Sequence, residues 1–90
     1  MKKLKNVSFT QQAFSEYRYW QTQDRKTLKI INRLIDNTLS HPFTGLGKPE
    51  PLKYQLTDCW SRRIDKSNRL VYQVSTDTLY IIQCRYHYEK

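Results

Sequence analysis

Ninety residues are too few for two cores and enough for one domain, spanning 1–90, to fold without disulfides or metals. Hydrophobic residues make up 38% of the chain and aromatic ones 13%, including seven Tyr and two Trp, which excludes a disordered tail. Sixteen Lys and Arg against eight Asp and Glu leave a formal charge of +8 and a pI near 9.7; this favours polyanionic partners such as nucleic acid or an acidic protein.

The excess charge is spread along the chain, with eight basic and three acidic residues in 1–45 and eight and five in 46–90, so no basic tail stands apart. Cys59 and Cys84 lack the close spacing and the neighbouring histidines of a zinc site, and both read as reduced and structural. No metal and no cofactor is expected. Met1-Lys2-Lys3 is followed by no apolar segment, and nowhere do eighteen apolar residues run together, so the expectation is a cytoplasmic protein without a membrane span.

Lys5 to Phe9 alternates apolar and polar residues and reads as a first strand. Thr10, or Ser8 before it, then caps a helix over Gln11 to Gln23 whose stripe is Ala13, Phe14, Tyr17 and Trp20. Asp24 caps a second helix with Leu28, Ile31, Leu34, Ile35 and Thr38 on one face, ending near Ser40 because His41 precedes Pro42. His41 suits a C-terminal capping role. Pro42 to Pro51 holds all three prolines and both glycines and forms one long irregular connection.

Beyond it the period changes. Leu52 to Leu56, Cys59 to Asp65, Arg69 to Ser75 and Thr78 to Cys84 read as strands separated by short polar turns, hence as an antiparallel meander. The fold class expected is α+β, two N-terminal antiparallel helices packed on a twisted antiparallel sheet. Leu70, Tyr72 and Val74 point to one face and Arg69, Val71 and Gln73 to the other; Ser61 and Arg63 likewise oppose Trp60, Arg62 and Ile64. If the apolar set packs on the helices, Arg69 stands on the open face, where arginines can receive a phosphodiester.

The residues fit for chemistry are few. Glu50 lies between Pro49 and Pro51, on a stem that proline holds extended, with Lys48 and Lys53 beside it. His87 sits between Tyr86 and Tyr88 after the last strand. Metal-free RNA cleavage needs a base for the 2′-hydroxyl, an acid for the departing 5′-oxygen and a cation for the phosphorane, and Glu, His and Arg are the residue types that supply them. Tyrosines flanking the histidine can stack on bases of a single strand. Taken from the residues alone, the set supports a nucleic-acid binder as readily as a nuclease.

Five ordered stretches add a resemblance: Tyr-x-Tyr-Trp from Tyr17 to Trp20, Pro-Phe-x-Gly-x-Gly-Lys-Pro-Glu-Pro-Leu-Lys from Pro42 to Lys53, Trp-Ser-Arg-Arg-Ile from Trp60 to Ile64, Arg-Leu-Val-Tyr from Arg69 to Tyr72, and Cys-Arg-Tyr-His-Tyr from Cys84 to Tyr88. Together they resemble the YoeB/Txe toxins of bacterial type II toxin-antitoxin pairs, within the RelE/ParE superfamily. The resemblance implies a RelE-like fold akin to the microbial ribonucleases, and an endoribonuclease that cuts messenger RNA in the ribosomal decoding site. It implies Glu50 as general base, His87 as general acid, Arg69 as phosphate stabiliser and Tyr88 as a group orienting the RNA. Lys48, Lys53, Arg62 and Arg63 complete the expected phosphate-binding set. A YefM/Phd-type antitoxin whose acidic tail covers Arg69 and His87, the ribosome, messenger RNA and a second copy of the chain are the partners implied. A ParE-like inhibitor of gyrase, a translation blocker that does not cut, and a basic RNA-binding domain are the competing readings. Two departures accompany the match: Glu89 and Lys90 follow the His-Tyr pair, and the segment before the first helix is a few residues longer.

Overall fold

The computed structural model describes residues 3–53 and 56–87. Strand β1 (Asn6–Phe9) runs into helix α1 (Gln11–Gln23), and α2 (Arg25–Ser40) follows after a single residue. Both helix starts are side-chain capped. The Thr10 hydroxyl accepts from the Ala13 N–H at 3.0 Å, and Asp24 Oδ1 accepts from the Lys26 and Thr27 N–H groups at 3.1 and 3.2 Å, meeting donors that have no intrahelical acceptor. The Asp24 N–H also closes α1 by donating to Trp20 O at 3.1 Å, so one residue ends one helix and begins the next. The Thr27 hydroxyl, followed by the backbone bond, holds the Asp24 carboxyl below its ordinary value of 3.8. His41 is the C-cap of α2, its N–H donating to Asn37 O.

Four further strands, β2 (Glu50–Pro51), β3 (Trp60–Arg63), β4 (Arg69–Ser75) and β5 (Thr78–Gln83), join β1 in one sheet of order β1-β5-β4-β3-β2. Strands β2 to β5 form the expected antiparallel meander, but β1 pairs parallel with β5, so the sheet is mixed. The reason lies in where α1 begins. Thr10 donates from its N–H to Ile81 O at 3.0 Å and from its hydroxyl to Ile82 O at 3.2 Å, fixing the start of α1 at the C-terminal end of β5. A chain that must leave there runs alongside β5 in the same direction, and the helices supply the long crossover that a parallel pair requires.

The helices cover one face of the sheet. Ala13, Trp20, Ile31, Leu34 and Ile35 pack on Ile64, Leu70, Tyr72, Leu79, Ile81 and Cys84. The α1 stripe is displaced from its sequence reading: Phe14 is 51% exposed, while Glu16 is buried beside Ala13 and Trp20. A second, smaller cluster of Leu52, Cys59 and Val71, flanked by Leu56 and Ile82, covers part of the opposite face. Of the strand read over 52–56, residues 54 and 55 lie outside the described residues; the edge pairing is made just before it by the two-residue β2, with the Leu52 N–H closing on Cys59 O at 2.9 Å. A proline tolerates such a position because β2 is the edge strand, and Pro51 needs to donate nothing outward. Among the described residues no helix is long and apolar enough to cross a membrane, and both cysteines are free and buried.

Candidate active site

The loop that delivers Glu50 is built around Arg62. Its side chain is fully buried, and its guanidinium donates to Asn37 Oδ1 (2.6 Å), His41 O (2.5 Å), Thr44 O (2.9 Å) and Leu46 O (3.0 Å), while Nε reaches the Tyr72 hydroxyl at 3.2 Å. Tyr72 in turn donates to Pro42 O at 2.6 Å. Burial pushes the Tyr72 hydroxyl above its ordinary pKa, against the opposing pull of Arg62. The cation sits at the carbonyl end of α2, where the helix dipole is negative. Asn37 Oδ1 also accepts from the Leu46 N–H at 3.0 Å, and a Cβ on Gly45, whose φ is +108°, would collide with that oxygen. The tract from His41 to Leu46 is thus tied to one side chain of β3.

This arrangement corrects one expected site residue. Arg62 cannot meet a phosphate, because its donors are spent on four oxygens inside the molecule and none of its surface reaches solvent. Its neighbour Arg63 is exposed, and its N–H donates to Gly47 O at 2.6 Å, continuing the edge past the loop. Gly47 and Lys48 both take positive φ, +78° and +52°, and turn the chain into Pro49 and Glu50. A Cβ at Gly47 would press on Leu34, Arg62 and the Arg63 carbonyl at 3.0 to 3.1 Å, so glycine is required there for both backbone angle and space. Lys48 and Lys53 are exposed on either side of Glu50.

Strand register places the remaining groups. Glu50 pairs with Ser61, Ser61 with Val71, and Arg63 with Arg69. Directly paired residues share a face, and so do residues two apart on one strand. Val71 faces away from the helices, so Glu50, Arg63 and Arg69 all stand on the open face. Glu50 is exposed and lies two strand spacings from β4, roughly 10 Å between backbones, a gap that two side chains and one phosphodiester can bridge.

Arg69 is half-buried and positioned from below. Its Nη1 donates to Asp65 O at 2.7 Å and Asn68 O at 3.0 Å, leaving Nε and Nη2 without a partner among the described residues. The Asp65 carboxylate holds the 64–68 turn by accepting from the Ser67 and Asn68 N–H groups, both at 2.8 Å, and from Asn68 Nδ2. Asn68 Oδ1 accepts from the Tyr86 N–H at 2.6 Å, and Tyr86 O accepts from the Arg69 N–H at 2.9 Å. The exposed His87, next in sequence, is therefore brought to the start of β4 beside Arg69. Tyr88 lies outside the described residues.

A second tie fixes the same tail from the helix side. Cys84 donates its N–H to Glu16 Oε1 at 2.8 Å, accepts from Trp20 Nε1 at 2.8 Å, and points its thiol at Ala13 O. Burial, with the Glu16 carboxylate adding to it, pushes the Cys84 thiol up to about 12. Glu16 and Asn68 escaped the sequence reading; a carboxylate lying within an apolar helical stripe was the one signal for the first, and an Asx-type turn the only trace of the second. Among the described residues no group of three or more His, Cys, Asp or Glu is placed to hold a metal ion.

Comparison with known proteins shows the family. The family model for the YoeB-like toxin of bacterial type II toxin-antitoxin systems matches residues 9–88. The chain belongs to that family. Toxin YoeB of Streptomyces coelicolor is 51% identical over 82 residues, covering 91% of this chain and 98% of its own. Among solved structures, a YoeB/ParE toxin from Agrobacterium tumefaciens superposes with a TM-score of 0.92 at 44% identity, covering 93% of this chain and 100% of that one. Two YoeB structures from Staphylococcus aureus are also similar. One is a dimer, with TM-score 0.88 and 43% identity over 94% of this chain and 99% of its own; the other is a heterotetrameric YoeB-YefM toxin-antitoxin complex, with TM-score 0.86 and 44% identity over 92% and 97%. Of the five stretches read from the sequence, Tyr17 to Trp20 falls on α1 and the other four fall on the Glu50 loop, on β3 and β4, and on the tail at His87.

Proposed function

We propose that this YoeB-family chain is a ribosome-dependent endoribonuclease that cuts messenger RNA at the decoding site. The observation that carries the reading is that Glu50, Arg63 and Arg69 share the open face of the sheet, with His87 tied next to Arg69 through the Tyr86 carbonyl. Glu50 takes the proton from the ribose 2′-hydroxyl, and that oxygen attacks the adjacent phosphorus. Arg69 meets the added negative charge of the phosphorane with its planar fork. His87 gives its proton to the departing 5′-oxygen as the P–O bond breaks. The products are a 2′,3′-cyclic phosphate and a 5′-hydroxyl, so atoms and protons balance without a further reactant. Lys48, Lys53 and Arg63 line the path of the phosphate backbone, and Tyr88 orients the RNA at the leaving oxygen.

The cognate partner is an antitoxin of the YefM type, a reading supported by the YoeB-YefM complex of a Staphylococcus aureus relative; its acidic segment folds across the basic face of the sheet. The dimer of another relative supports self-association, and the compartment of action is the cytoplasm, where ribosomes translate. Mapping message ends in translating extracts tests the reading. New 5′-hydroxyl ends within codons at the decoding site, lost in a Glu50→Gln, His87→Ala double variant, are expected; arrest of translation with intact message contradicts cleavage and favours a toxin that acts by binding.

A further inference from the structure

Arg85 and Tyr86 join β5 to His87, and the chemistry above uses neither side chain. Tyr86 is 57% exposed, more than any other large hydrophobic among the described residues. Its φ is +66°, a left-handed conformation that a bulky L residue keeps only when its surroundings impose it. They do so at both ends of the residue. The N–H is held by Asn68 Oδ1 at 2.6 Å, and the carbonyl accepts from the Arg69 N–H at 2.9 Å and from Gln83 Nε2 at 3.3 Å.

Glycine would meet that backbone without strain, so the turn itself gives no reason for a tyrosine. The side chain is ordered as well. The Arg85 guanidinium carbon lies 4.4 Å from the Tyr86 ring centroid and 3.5 Å from that of Tyr19 on α1, so the cation rests on two aromatic faces and fixes the outer ring against the helix. A flat ring is thus held in solvent one residue from His87. Adjacent Cα atoms are about 3.8 Å apart, so the ring stands within a nucleotide's length of a phosphate held at His87.

We infer that Tyr86 is a stacking platform for a base of the bound message and a specificity-determining residue of the cut. The inference rests on the RNA-cleaving reading above and adds a base subsite to it. Recognition is by the ring face, since a base splayed from a single strand offers a π-surface whatever its identity, and purines, being larger, stack more strongly. The phenolic hydroxyl is not required.

Two measurements on programmed ribosomes test this. Tyr86→Phe is expected to keep wild-type kcat/KM, and Tyr86→Leu to lose about 5- to 150-fold, with a flattened preference for the base at the stacked position. In an inactive Glu50→Gln background, 2-aminopurine placed in turn at each position of the decoding-site codon is expected to be quenched at one of them, with Tyr86 or Phe but not with Leu. A folded Leu variant that cuts the same codons at the wild-type rate overturns the inference, as does one that loses only antitoxin binding. Lack of quenching at all three positions with Tyr86 intact overturns it too, whether or not the Leu variant folds. Because quenching needs no cleavage, failure of the base subsite is distinguishable from failure of the nuclease reading, which the message ends report separately.

Discussion

Arg62 and Arg63 are chemically identical neighbours on β3 with opposite fates. Arg62 points to the helix side, where its fork is enclosed by the end of α2 and the loop from His41 to Leu46; Arg63 is exposed and pairs with Arg69. Strand alternation alone separates them, and it divides the molecule into a face that holds the loop in place and an open face that, on the proposed reading, meets the substrate. A cation's presence in a motif therefore says little about its role until its face is known.

The contrast is broken most severely at Arg62. Arg62→Met removes the charged donor shared by the His41, Thr44 and Leu46 carbonyls and breaks the buried bond to the Tyr72 hydroxyl, and a loss of at least about 3 kcal/mol is expected, some 12 °C or more in Tm for a domain of this size. Arg63→Met is expected to stay within about 0.5 kcal/mol of wild type. Thermal melts of the two variants side by side check both figures. If they melt together, the division between the faces is wrong.

On the open face the largest loss is expected in rate. Arg69→Ala removes the fork proposed to meet the phosphorane, and single-turnover cleavage should fall by about 10²- to 10³-fold. Next is the tie between α1 and the tail. Glu16→Ala strands the buried Cys84 N–H, at a cost of about 1 to 3 kcal/mol by denaturant titration, and should slow cleavage by loosening the segment that carries His87. The smallest effect lies at high pH. The Cys84 thiol holds its proton to about 12 in the folded state against an ordinary 9.0, so above pH 9 the unfolded chain loses a proton that the folded chain keeps, and stability falls as pH rises. By pH 9.5 this term is below about 1 kcal/mol, and Cys84→Ala should flatten it in melts taken from pH 8 to 10.

Much of this was legible in the sequence where local chemistry decides it. Thr10 and Asp24 mark helix starts through their own side chains, and the alternation of Leu70, Tyr72 and Val74 set the inner face of β4. What escaped depends on contacts between distant residues. The parallel pairing of β1 follows from where α1 must begin on β5, 72 residues away along the chain. The burial of Arg62 follows from four acceptors contributed by α2 and its loop, and Glu16 reads as a surface charge until Cys84 is beside it. The β2 pairing began earlier than expected because Glu50, between two prolines, is compatible with an edge strand that needs few hydrogen bonds.

The most direct test of the open face as the site of RNA cleavage is the single-turnover rate of Glu50→Gln on ribosomes loaded with a defined message, with folding verified by melting. Glutamine keeps the side chain's shape and removes its basicity, so the rate should fall by about 10²- to 10⁴-fold with binding and Tm unchanged. A folded Glu50→Gln protein that cuts at the wild-type rate would contradict the account.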